Sequence, residues 1–130
     1  KKKGFKIIVI TNQPDVGKGK IKKNEILKMH SKLNEEINYD DIFCSFSASK
    51  KSFFRKPNPG MILKAVKKHK INLNRSFLIG DRWSDIIAAE KVNCKSIFIN
   101  RNYKEKTKLF NPTKKVSSLS LAINYIERHN

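Results

Sequence analysis

Three short polar clusters, at residues 11–13, 55–60 and 80–85, carry side chains that could bind and transform an anionic group. The first offers a hydroxyl and two carboxamides, which with following backbone N–H groups form an anion nest. The second places Arg and Lys before a proline, and both can bind phosphate oxygens. The third holds two carboxylates, which suit Mg²⁺. Taken one by one, these residue types are compatible with binding a phosphate-bearing molecule but do not require it.

Each cluster also has a structural interpretation. In "IGDRWSDIIAA", Gly80 is expected to allow a sharp turn, and Asp81 and Asp85 could be metal ligands. Alternatively, Asp81 or Ser84 caps the following helix.

The other two clusters have similar alternatives. In "RKPNPGM", a residue before proline is held extended, so the backbone of Lys56, beside Arg55, is expected to be rigid and to fix the position of its ammonium group. Alternatively, the segment is a solvated basic turn. Thr11 and Asn12 could hold an anion or could simply end a strand.

Alternating strands and helices are predicted to position these clusters. Apolar runs predict strands, with inner, buried strands at 5–11 and 76–80, and helical spacing predicts the helices. The predicted strands are 5–11, 41–48, 76–80 and 95–100, and the predicted helices are 23–38, 60–70, 84–92 and 118–129. Residues 101–116 are predicted to form a polar loop. The pattern predicts an α/β fold with a doubly wound, Rossmann-like parallel sheet and helices on both faces, in which ligands bind at the carboxyl ends of the strands.

Composition narrows the function classes. The chain has 130 residues, the size of one domain, and its formal charge is +18. Lysine supplies most of this charge and is spread along the whole chain, which favours compositional bias over a dedicated nucleic-acid surface. The sequence has no apolar run long enough for a membrane span and no secretion signal. A cytoplasmic protein without a membrane partner is expected.

The three clusters, in this order and spacing, resemble the haloacid-dehalogenase-like (HAD-like) phosphatases. The segments "VITNQPDVGKG", "RKPNPGMI" and "IGDRWSDIIAA" are most similar to the capless branch, which contains heptose bisphosphate, histidinol-phosphate and polynucleotide 3′-phosphatases. The resemblance covers about residues 5–100. It implies a Mg²⁺-dependent phosphatase that works through an aspartyl-phosphate.

The resemblance also implies roles for single residues. Thr11 would hydrogen-bond the phosphoryl group, with Asn12 and Arg55 as further substrate-binding residues. Lys56 would neutralise the phosphoryl group and the nucleophile. Asp81 would ligate Mg²⁺, and Asp85 would complete or support the metal site.

The sequence departs from the family pattern in two ways. The family's Asp-x-Asp nucleophile motif precedes the first cluster, whereas the first Asp of this chain is Asp15. Residues 1–130 are therefore expected to form a single HAD-like domain that lacks its nucleophile strand and is inactive alone. Near the second cluster only Cys44 is present, so no zinc is expected, and Cys44 and Cys94 are predicted to be buried.

Three functional hypotheses follow. The first is a phosphatase for a small phosphorylated metabolite, a sugar or sugar bisphosphate, favoured by Arg55-Lys56-Pro57. The second is a polynucleotide 3′-phosphatase, favoured by the charge but not by any aromatic-rich basic groove. The third is an inactive, truncated HAD-like binding module. The sequence does not predict the oligomeric state.

Overall fold

The computed structural model describes residues 4–12, 23–45, 49, 51–102 and 110–130. Its elements are β1 (Ile8–Asn12), α1 (Lys23–Ile37), β2 (Asp41–Ser45), α2 (Gly60–His69), a 3₁₀ turn (Leu73–Arg75), β3 (Phe77–Gly80), α3 (Trp83–Lys91), β4 (Lys95–Ile99), β5 (Lys114–Val116) and α4 (Leu119–His129). The predicted α/β class with parallel strands is confirmed. Residues 13–20 of the first motif and 46–48 of the predicted second strand lie outside the described residues.

The chain divides into two compact units, Lys1–Arg55 and Lys56–Asn130. In the first unit β1 and β2 are parallel, with Ile10 opposite Phe43. Phe43 is buried, but β1 is half-buried at every position. The prediction of a completely buried first strand is therefore wrong for the described residues, where this sheet has two strands.

In the second unit the described residues form a three-stranded parallel sheet in the order β3-β4-β5. The central strand β4 buries Ser96, Ile97 and Ile99. Among the described strands β3 pairs along one side, with β4, and all of its residues are half-buried. The prediction that β3 is fully buried is therefore wrong for the described residues, whereas its inner position in a complete sheet stays a prediction.

The core of the second unit lies between its sheet and two helices. The helix α3 packs against β3 and β4, and α4 packs against β4 and β5. Ile86 and Ile97 are fully buried, and each such side chain contributes about 1.5–3 kcal/mol to stability. Ala88 and Ala89 are also fully buried, and their small side chains let α3 approach its neighbours closely. In α2, Met61, Ile62 and Ala65 are buried, as predicted from their helical spacing.

The strand β5 lies where the sequence predicts a loop. Lys114 and Lys115 are exposed, so this edge strand has no apolar pattern. It forms by pairing with β4, where Ile97 lies opposite Lys114. The Asn100 N–H extends the ladder and donates a 2.8 Å bond to the Val116 carbonyl.

Both cysteines are free thiols, and both are half-buried. The prediction that they are buried is therefore wrong, because each residue is partly exposed to solvent. The Cys94 thiol lies 3.7 Å from the Ser76 carbonyl, which accepts its weak hydrogen bond. Burial raises the pKa of Cys94, because desolvation disfavours the thiolate.

None of the helices in the described residues is both long and apolar enough to cross a membrane.

Candidate functional site

A buried ion pair joins the second and third polar clusters. The Lys56 ammonium donates a hydrogen bond to Oδ1 of Asp85, and the two side chains are only 12% and 9% exposed. Lys56 begins the second unit and is followed by a cis peptide bond to Pro57. Because water is largely excluded, loss of the Lys56 charge would leave the buried Asp85 carboxylate without this counter-ion. The ion pair therefore holds the Lys56 ammonium in one position.

The second oxygen of Asp85 stabilises the start of α3. Oδ2 accepts a 3.2 Å hydrogen bond from the backbone N–H of Arg82, the N-cap residue. An acid in the first turn also interacts favourably with the helix dipole. The cap is thus neither Asp81 nor Ser84, which the sequence offered as alternatives.

Gly80 provides space for Asp85. A Cβ atom at Gly80 would lie 2.6 Å from Cγ of Asp85 and nearer still to Cβ of that residue. The backbone of Gly80 does not adopt the left-handed conformation. The predicted need for a sharp turn is therefore not what requires glycine here, because the constraint is steric.

Asp81 lies at the tip of β3 in a much more open environment. Its Oδ2 is 3.4 Å from Nε of Arg101, and the side chains of Asp81 and Arg101 are 36% and 49% exposed. Sequence reasoning missed Arg101. The positions of the two residues in the sequence could have predicted this contact. Asp81 directly follows β3, and Arg101 lies two residues after the end of the adjacent parallel strand β4. Residues after the carboxyl ends of such strands meet at one sheet edge.

The remaining predicted site residues belong to the first unit. Thr11 and Asn12 end β1, and both are half-buried. The Thr11 hydroxyl donates to the Asn12 carbonyl at 3.5 Å, a long contact. The Arg55 N–H donates a 3.1 Å bond to the Ser52 carbonyl. The structure thus joins Lys56 to Asp85, whereas Thr11, Asn12 and Arg55 lie in the other unit.

The acids differ in how well they suit a metal ion. Mg²⁺ in phosphate-handling proteins is usually held by one or two carboxylates together with waters and substrate phosphate. The open carboxylate of Asp81 fits this role. Both oxygens of Asp85 already accept hydrogen bonds, so Asp85 fits a supporting position better. No group of three or more His, Cys, Asp or Glu side chains gathers in the described residues.

Comparison with known proteins supplies the family. Residues 53–121 match the model of the HAD-hydrolase-like family, and the chain belongs to that family. The sequence prediction of a HAD-like protein is thereby confirmed.

Two curated relatives show which members the chain is similar to. It is 35% identical over 100 residues to the D-glycero-beta-D-manno-heptose-1,7-bisphosphate 7-phosphatase of Helicobacter pylori strain J99. This match covers 72% of this chain and 58% of the relative. It is 28% identical over 104 residues to a bifunctional histidine biosynthesis protein of Bacteroides fragilis, covering 75% of this chain and 28% of that one. The chain thus spans little more than half the length of the heptose bisphosphate phosphatase.

A solved structure agrees on the fold. The D,D-heptose 1,7-bisphosphate phosphatase from B. bronchiseptica, complexed with magnesium and phosphate, matches with a TM-score of 0.86. The match covers 99% of this chain and 78% of the other, at 19% identity.

Proposed function

We propose that this chain is part of a Mg²⁺-dependent phosphomonoester hydrolase that acts on a small phosphorylated metabolite, a sugar phosphate or sugar bisphosphate. The observation that carries the proposal is the buried ion pair of Lys56 and Asp85. Such a pair fixes a positive charge in advance, and preorganised charge is the main source of catalysis in phosphoryl transfer.

Each residue has a role in the proposed reaction. Lys56 neutralises charge on the phosphoryl group, and Asp85 keeps its ammonium in place. The Thr11 hydroxyl donates a hydrogen bond to a phosphoryl oxygen, and Asn12 and Arg55 bind the substrate. Asp81 would hold the Mg²⁺ ion, which would supply charge neutralisation at the phosphate. Direct ligation of the metal by Asp85 stays a prediction.

The proposed chemistry has two displacements. A carboxylate oxygen attacks phosphorus, the bond from phosphorus to the substrate oxygen breaks, and the departing oxygen takes a proton. Water then attacks the same phosphorus, which releases inorganic phosphate and regenerates the carboxylate.

The nucleophile is proposed to lie on a strand upstream of this sequence. The edge of β3 supports this proposal: within the described residues β3 pairs along one side, with β4, although its four residues read FLIG and suit an inner strand. An additional strand would cover that edge. Under this proposal residues 1–130 are one HAD-like domain without its nucleophile and are inactive alone.

The named relatives favour a heptose bisphosphate or a similar sugar phosphate as the substrate. The net charge of +18 keeps a polynucleotide 3′-phosphatase as the alternative. An inactive binding module is the third possibility. A cytoplasmic location and the absence of zinc stay predictions.

The test is to express the longest open reading frame that contains this sequence and to assay it with Mg²⁺. Sugar bisphosphates, sugar monophosphates and 3′-phosphorylated oligonucleotides form the substrate panel. We expect the sugar phosphates to be hydrolysed much faster. A preference for oligonucleotides would promote the alternative, and no hydrolysis of any substrate would favour the binding module.

A further inference from the structure

A basic groove lies between β5 and α4 in the second unit. Its volume is about 780 Å³, and Lys114, Lys115, Arg128 and His129 contribute to its walls. Among the described residues that line it, none is acidic. A groove of one charge sign attracts a ligand of the opposite sign. Its ligand should therefore be an anion.

A fixed aromatic ring forms part of this groove. The His129 ring stacks on Tyr125 with centroids 4.0 Å apart and planes inclined by 18°. Its Nδ1 lies 2.9 Å from the Tyr125 carbonyl and can donate a hydrogen bond to it. His129 is exposed, so its ring can offer a stacking face to a planar ligand. Such faces stack well with nucleic-acid bases.

The other walls offer donors and an apolar surface. Oδ1 of Asn100 accepts a 3.0 Å bond from the Asn102 N–H, which leaves the amide NH₂ of Asn100 as a donor. Leu121 also lines the groove and is 47% exposed, which is high for a large apolar side chain. A ligand with both anionic and apolar parts would use both kinds of surface.

We propose that this groove binds a nucleotide, with its phosphate at Lys115 and Arg128 and its base stacked on His129. The groove is open to solvent and has room for a ligand of this size. The same chemistry is offered by a free nucleotide and by a nucleotide at the end of a strand. The inference does not depend on the proposed phosphatase activity.

Calorimetric titration of the protein from the longest open reading frame tests this proposal. The probes are AMP, ribose 5-phosphate and inorganic phosphate, without Mg²⁺ so that the proposed phosphatase site contributes little, and in about 0.15 M salt to screen diffuse charge. We expect AMP to bind about tenfold more tightly than ribose 5-phosphate, because only AMP has a base to stack. Equal affinities for the two would overturn the proposal.

Three exposed substitutions make the test specific. His129→Ala should weaken AMP about tenfold and leave ribose 5-phosphate unchanged, whereas Lys115→Gln should weaken both. Lys67→Gln on α2 removes the same charge outside the groove and is the matched control. Equal losses for Lys67→Gln and Lys115→Gln would overturn the proposal, because the charge effect would then be diffuse.

A pentadeoxyadenylate titration identifies the source of the nucleotide. If the oligonucleotide binds more tightly than AMP and His129→Ala abolishes this binding, the ligand is a nucleotide at the end of a strand. If it binds as tightly as AMP and His129→Ala again abolishes the binding, the ligand is a free nucleotide. Oligonucleotide binding that His129→Ala does not change would count against the site.

Discussion

Asp85 and Asp81 lie four residues apart in the sequence but in opposite environments. Asp85 is 9% exposed and contacts the Lys56 ammonium and the Arg82 N–H. Asp81 is 36% exposed and has a 3.4 Å contact with Arg101. The comparison shows that two acids in one motif need not share one task. The buried acid joins Lys56 to the start of α3, whereas the more exposed acid is the one proposed to hold the metal ion. Substitutions at four positions test this contrast, and the expected loss of unfolding free energy is largest for Lys56, smaller for Gly80 and smallest for Asp81 and Arg101.

The largest effect is expected for Lys56→Met, which keeps the side-chain volume but leaves Asp85 buried without its counter-ion. Breaking such a pair costs about 3–5 kcal/mol. Turnover in the protein from the longest open reading frame should also fall by about 10²–10³. Urea unfolding and steady-state assays measure the two effects, and Lys67→Met on the exposed side of α2 is the control. Wild-type stability in Lys56→Met would mean that Asp85 does not depend on this ion pair.

Gly80→Ala tests whether space for Asp85 determines the residue at the end of β3. Its new methyl group would overlap the Asp85 side chain, and such overpacking costs about 1–3 kcal/mol. Thermal unfolding gives the change. Gly4→Ala is a useful comparison, because a methyl group there meets no atom within 4 Å, although its φ of 82° adds backbone strain. A fully stable Gly80→Ala protein would contradict the close approach of Asp85.

Asp81→Asn should separate activity from stability. We expect turnover to fall by about 10²–10³, because the variant weakens the proposed metal ligand. The unfolding free energy should change by less than about 0.5 kcal/mol, because the side chain is partly exposed. Raising the Mg²⁺ concentration should restore part of the turnover in Asp81→Asn but none in Lys56→Met. Normal turnover in Asp81→Asn would remove this residue from the site.

Arg101→Gln should have a small effect on stability, similar to that of Asp81→Asn, because both changes remove the same ion pair. A half-exposed ion pair contributes about 0–1 kcal/mol, and salt screens it further. If Arg101 competes with Mg²⁺ for Asp81, its removal should lower the Mg²⁺ concentration needed for half-maximal activity. An unfolding change as large as that of Lys56→Met would show that the two acids have similar surroundings after all.

The sequence was sufficient for features that depend on neighbouring residues. Apolar runs and helical spacing predicted β1, β4, α2 and α3, because each element's period is local. The three motifs were enough to identify the HAD-like family, because strand tips carry the family's polar residues at consistent places.

Tertiary structure alone decided which distant residues meet. Lys56 and Asp85 are 29 positions apart, and no local pattern predicts that contact. The strand β5 has two exposed lysines, and it forms because it pairs with β4. Gly80 leaves space for the Asp85 side chain, which belongs to the following helix. The apolar sequence of β3 fits an inner strand, yet in the described part of the chain β3 pairs along one side, with β4. The spacing of apolar residues along the sequence indicates whether a segment is a helix or a strand and which of its faces is buried. Strand order and ion pairs depend instead on segments that are distant in the sequence and meet only when the chain folds.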